Sequence, residues 1–198
     1  MRVAVVFESL YGNTHEVAEA VAAGVADARP DAQVELHRVG DADPQRAAAA
    51  DLLIVGGPTH MRGMTTGLSR KMGVSAEQKK DPEERHDLEP GAEGPGVRDW
   101  FHELPKTGDH RPAAAFDTRI AARMAGGAAP GIARRLRHHG YEVIADPEPF
   151  YVQDNGEGPL KDGETDRARA WAAGLVRQAR TTVGNPTRTG APPGASTT

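Results

Sequence analysis

Apolar and polar positions change their period several times along the chain, and each change predicts an element. Val3 to Phe7 is a short continuous apolar run, the pattern of a strand covered on both faces. From Asn13 the period becomes four: Val17, Val21 and Val25 recur with alanines between them, a helix stripe that Arg29-Pro30 stops. Gln33 to Val39 alternates polar and apolar, as an edge strand does. Asp51 to Val55 is a second buried run, closed by Gly56-Gly57-Pro58, and Ala113 to Phe116 is a weaker strand. A helix is predicted from about Ala128 to His138 with Gly140 as its C-cap. The fifth strand spans Tyr141 to Ala145 and resumes at Phe150 to Val152 after an Asp-Pro-Glu-Pro break. A last helix covers Thr165 to Ala179, with Ala168, Trp171, Ala172 and Leu175 on one side. Val97, Trp100, Phe101 and Leu104 also fall at helix spacing, which assigns Trp100 to core packing.

Strand and helix signals that alternate in this way predict an α/β fold, a parallel sheet with helices on both faces. Two segments stand outside it. Ala76 to Gly96 mixes charge clusters with Pro and Gly and is expected to be a mobile surface insertion; the Glu83-Glu84 and Lys79-Lys80 runs within it read as a solvated face. A Gly/Pro/Ser/Thr-rich tail is expected to be disordered, so one domain over residues 1–181 is followed by a tail over 182–198. Composition adds exclusions. Lys and Arg number 24 against 28 Asp and Glu, a net charge of −4 that offers no electrostatic reason to bind nucleic acid or an anionic membrane. Absence of cysteine removes disulfides, thiolate metal sites and thiol catalysis. With no signal-peptide pattern and no membrane-spanning run, the expected location is the cytoplasm.

The candidate chemistry sits in three loops. "SLYGNT", Ser9 to Thr14, joins the first buried strand directly to the first helix. Such a loop presents unpaired backbone N–H groups at the positive end of a helix dipole. Ser9 and Thr14 add hydroxyls, Asn13 an amide, and Gly12 permits close approach. No Lys is present, as a nucleoside triphosphate would require, and no G-x-G-x-x-G marks a dinucleotide. A neutral nest of this kind suits one terminal monophosphate; the alternative is a plain capped turn. "GGPTHMRGM" follows the third strand and "FDTRI" the fourth. In an open parallel sheet, all three loops project at the carboxyl edge where ligands bind. His60, His86, His102, His110 and the pair His138-His139 show no spacing that builds a metal site, and no nucleophile motif occurs, so neither metal ligands nor catalytic side chains are assigned.

On these three stretches, and on the later "GYEV" and "DGETDRARAWAAGL", the chain resembles the flavodoxin family from about Met1 to Ala179. The resemblance implies a doubly wound, five-stranded parallel sheet of order 2-1-3-4-5 that binds FMN without a covalent link. It implies that Ser9, Leu10, Tyr11, Gly12, Asn13 and Thr14 hold the ribityl phosphate. Pro58, Thr59, His60, Met61, Arg62 and Gly63 would line the flavin ring near N5. Asp117, Thr118 and Arg119 would meet its pyrimidine edge, largely through backbone N–H groups. Flavodoxins set aromatic rings from the second and third loops against the flavin, whereas this chain offers His60 and only Ile120.

Charge departs in the same direction. Arg62 and Arg119 stand where low-potential carriers gather carboxylates. A unit charge at ~6 Å and an effective dielectric of ~20 is worth ~3 kcal/mol, on the order of 100 mV for one electron before screening. A less negative reduction potential is therefore expected. The function implied is electron transfer between a reductase and an acceptor protein, with the flavin supplying the redox chemistry. An NAD(P)H-dependent reductase of quinones or similar small acceptors is the alternative on the same scaffold. A flavin-free protein-interaction module is a third.

Overall fold

Residues Arg2–Phe7 form β1, and both of its edges are paired in parallel, to β2 (Gln33–Arg38) on one side and β3 (Leu52–His60) on the other. β3 pairs in turn with β5 (Pro112–Ile120), which carries the split last strand, β6 (Glu142–Val143) and β7 (Glu148–Val152). The sheet order is β2-β1-β3-β5-β6, the expected doubly wound arrangement, and β4 (Gly63–Met64) folds back antiparallel on the end of β3. This computed structural model describes residues 1–183 apart from 61, 123–125 and 154–157, with side chains as far as residue 179. From residue 184 on, the tail expected to be disordered lies outside the described residues; residues 182 and 183 close the last helix.

Side chains alternate across the sheet, so each strand feeds two cores. Val3, Val5 and Phe7 join Leu52, Ile54, Ala114 and Phe116 beneath α1 (Asn13–Ala28) and α6 (Glu164–Val183). Ala4 and Val6 join Leu53, Val55, Ala113 and Ala115 beneath α2 (Pro44–Ala48), α4 (Val97–Glu103) and α5 (Ala129–His138). Trp100 is core, 3% exposed, and its indole N–H donates to Ala42 O at 3.1 Å. Gly140 ends α5 with φ 88, as its place in the sequence predicts.

Two boundaries differ from expectation. β3 runs on to His60 and β5 to Ile120, so all of "GGPTH" and all of "FDTRI" is strand rather than loop. Gly57 pairs with Asp117 and Pro58 with Thr118, while β7 pairs residues 116–120 from the other side. β1 has ended at that level, which makes β3 an edge on one side, a position that tolerates proline. A helix not expected from the sequence, α3 (Gly67–Gln78), opens with a reciprocal cap: Ser69 N donates to Thr66 Oγ1 at 3.1 Å and Thr66 N to Ser69 Oγ at 2.8 Å.

The α1–α6 crossing is set by Gly24. A Cβ there would lie 2.3 Å from the Arg169 carbonyl oxygen, a backbone atom that cannot rotate away. Gly24→Ala should destabilise the fold by ~2 kcal/mol, read in urea as a lower midpoint with unchanged slope.

Candidate functional site

At the end of β1 the chain turns through Ser9 to Gly12, with Gly12 left-handed at φ 94, and α1 starts at Asn13. Gly12 is the N-cap and has no side chain to cover the first turn of the helix. Ser9 Oγ accepts the Gly12 N–H at 3.1 Å. Thr14, 1% exposed, shares a 2.7 Å hydrogen bond with Thr118 Oγ1 of β5. Asn13 Nδ2 donates to Gly158 O at 2.9 Å. The first and third predicted loops thus meet through two buried hydroxyls, at the positive end of a sixteen-residue helix. Leu10 and Tyr11 turn elsewhere: Leu10 packs with Val74 and Ala92, and Tyr11 stands edge-on to His86.

The second stretch is a hairpin. Thr59 and His60 pair with Met64 and Gly63, Arg62 is exposed at φ 72, and Met61 lies outside the described residues. Pro58 is half-buried in β3, and His60 lies near Gly73 of α3, its Cε1 4.0 Å from where a Cβ on that glycine would be. Thr59 Oγ1 accepts the Ala128 N–H at 2.9 Å.

In the third stretch, Asp117 is fully buried and its Oδ2 accepts the Ala129 N–H at 2.8 Å, capping α5 from a different element. Its Oδ1 has no hydrogen-bond partner and lies 3.6 Å from Arg119 Nε. Burial pushes the Asp117 carboxyl above its ordinary range, against the pull of the Ala129 N–H and Arg119. Arg119 also donates to Gly126 O, and Gly127 N donates to Arg62 O at 3.3 Å, tying the second and third stretches together. A cleft of about 730 Å³ opens here, lined by Arg119, Ala121, Ala122, Gly127, Pro130 and Tyr151.

Three further contributors are absent from the sequence reading of the site. Glu8, directly before the first loop, is 7% exposed; it accepts the Thr65 hydroxyl and, at 2.8 Å, the Val97 N–H that opens α4. Arg70 lies 3.8 Å from it and 2.6 Å from Asp99. Burial raises the Glu8 carboxyl despite these partners. Glu89 comes from the segment expected to be a mobile insertion. That segment lies against the first loop: Glu89 N donates to Leu10 O at 2.9 Å, and the Glu89 carboxylate meets Arg38 and, at 2.9 Å, His15. A charged residue straight after a buried strand is the one cue that could have flagged Glu8.

These residues suit a phosphate monoester. The donors gathered at the α1 N-terminus are hydroxyls, an amide and backbone N–H groups, and the nearby Glu89 charge is paired with Arg38. Among the described residues no group of three or more His, Asp or Glu side chains is placed to share a metal ion.

Comparison with known proteins gives one family: flavodoxin matches residues 5–140. No curated protein matches the chain. A flavodoxin from an archaeon superposes with a TM-score of 0.60 at 18% identity, covering 91% of this chain and 99% of its own. Oxidised flavodoxin 2 from Bacillus cereus gives 0.59 at 15%, covering 89% and 99%. A WrbA-like flavodoxin from Agrobacterium tumefaciens gives 0.51 at 21%, covering 91% and 98%.

The segment over the first loop is pinned by Glu77, which is 2% exposed. Burial opposes its ionisation, yet the His86 N–H, Lys80 and the His86 ring outweigh it and hold the carboxyl at about 2. Because that value lies below the ordinary 4.5, the stabilisation is present above about pH 4.5 and is lost as pH falls towards about 2. Amide protection over residues 79–92, corrected for the intrinsic exchange rate at each pH, should therefore fall on acidification through that window, and Glu77→Gln should remove that fall.

Proposed function

For this chain, which belongs to the flavodoxin family of FMN-binding electron-transfer proteins, we propose an electron carrier that holds FMN where β1, β3 and β5 end. One observation carries this reading: the Thr14–Thr118 hydroxyl pair, joined by Ser9 and Asn13, at the uncapped start of α1. FMN supplies the redox chemistry when bound, and the protein supplies position and field. Ser9, Asn13, Thr14 and the N–H groups of the α1 first turn hold the phosphate, with Leu10, Tyr11 and Gly12 forming the frame of that loop. Pro58 to Gly63 form one wall for the ring and Asp117 to Arg119 the other. Asp117 acts as a positioning group, because its carboxyl anchors α5 and steadies Arg119.

Electrons pass between partner proteins at the exposed edge of the flavin. The second reading, direct reduction by NAD(P)H with a quinone-like acceptor, is favoured by the cleft beside Arg119, which offers space for a second planar ring. Anaerobic addition of NAD(P)H to the yellow holoprotein separates the two. A carrier stays oxidised until a reductase protein is added, and a reductase bleaches at once.

Calorimetry tests the phosphate assignment. A hydrogen bond to a charged group contributes roughly 1.5–3 kcal/mol, so Thr14→Val should weaken FMN binding by about 10- to 100-fold. Riboflavin, which lacks the phosphate, should bind parent and variant alike. Equal parental affinity for FMN and riboflavin would refute the assignment.

The two arginines in the walls set the sign of the local field. Arg62→Gln with Arg119→Gln should make the reduction potential more negative by roughly 30–100 mV, measured by spectroelectrochemistry. An unchanged potential would show that neither guanidinium reaches the ring.

A further inference from the structure

Resting on the carrier reading above, we infer that arginines around the β4 hairpin and α5 form a docking face for a redox partner with an acidic contact surface. Arg98 leaves α4 and donates Nε to Thr65 O at 3.1 Å and Nη2 to Met64 O at 3.4 Å, which fixes its guanidinium against the hairpin. α5 lies against the same hairpin: a Cβ on Gly131 would sit 3.2 Å from Met64 Cγ and Sδ. One turn further along α5 come Arg134, exposed, and Arg135, half-buried. Burial, with the like charges of Arg98 and Arg134, pushes the Arg135 guanidinium below its ordinary range. Arg62 stands exposed at the turn of the hairpin. Four guanidinium groups therefore bracket one wall of the flavin site.

Several other arginines have carboxylate partners: Arg70 with Glu8 and Asp99, Arg119 with Asp117, Arg167 with Glu148 and Glu164. Among the described residues no carboxylate lies within 4.0 Å of Arg62, Arg98, Arg134 or Arg135. The positive field is thus local, on a chain whose net charge is −4. Mutual repulsion at such a face is relieved when a partner brings carboxylates to it. The charges are spread over a helix face and a hairpin, which matches dispersed carboxylates on a protein better than one compact anion. Complementary charge of this kind steers encounter and raises the association rate, and salt weakens it.

The test uses FMN-loaded protein, photoreduced without oxygen, and two acceptors that differ in surface charge: native lysine-rich cytochrome c and the same protein with its lysines succinylated. At low salt the succinylated acceptor should be reduced at least ~10-fold faster, an advantage that shrinks as ionic strength rises. Arg134→Gln with Arg135→Gln should lower that rate several-fold and leave the native acceptor's rate unchanged or higher. Backbone amide shifts of α5 and β4 on adding succinylated cytochrome c supply a readout that needs no flavin, so failure of FMN binding is distinguishable from failure of docking. Faster reaction with the native acceptor, salt-independent rates, or shifts confined to another face would overturn the proposal. So would a variant whose KM rises for NADPH but not NADH while its protein-acceptor rates stay unchanged, since the cluster would then serve a nucleotide phosphate.

Discussion

The parallel register of β1, β3 and β5 governs everything built above it. Phe7, Gly56 and Phe116 lie side by side across the three strands. Only glycine is possible in the middle, because a Cβ on residue 56 would fall 2.0 Å from Phe116 Cζ. With the three strands in register at that level, the turn after β1 comes alongside the extensions of β3 and β5 beyond Gly56 and Phe116. That is why Thr14 and Thr118, 104 residues apart, share a hydrogen bond, and why Thr59 reaches the start of α5. Parallel strands place ligand sites beyond their carboxyl ends for this reason.

Two buried carboxyls do the same job on either side of this constraint. Glu8 follows β1 and accepts the first N–H of α4; Asp117 lies in β5 and accepts the N–H of the first residue of α5. Each is raised by burial, yet each stands at the positive end of a helix dipole. The arrangement ties two helices of one layer, α4 and α5, to the strand ends that frame the candidate site. Charge is therefore used for scaffolding next to the loop, while the loop's own side chains are neutral. In the proposed site a dianionic phosphate would be met by dipoles and hydroxyls, with the arginines left to the ring walls and the outer face.

How much of this was legible depends on the range of the cause. The period-four stripe of Val17, Val21 and Val25, the apolar run from Val3 to Phe7 and the αL cap at Gly140 depend on nearest neighbours in sequence, and each element formed where expected. "FDTRI" was read as a loop because Asp, Thr and Arg are poor strand signals alone. It became strand because β3 and β7 offered partners on both sides. The segment from Ala76 to Gly96 carries charges and prolines that suggest a free surface. Residues 81–87 are exposed as expected, but two carboxylates of the segment find partners: Glu77 with Lys80 and His86, Glu89 with Arg38 and His15.

The sequence by itself determined the layered α/β architecture and the neutral loop between Ser9 and Thr14, since both follow from local periodicity and from which residue types are present. Which groups complete that loop was decided only in three dimensions. Thr118, Gly158 and Glu89 reach it from positions 79 to 145 residues away. Contacts at that separation are set by strand register and helix packing, which no window of sequence contains.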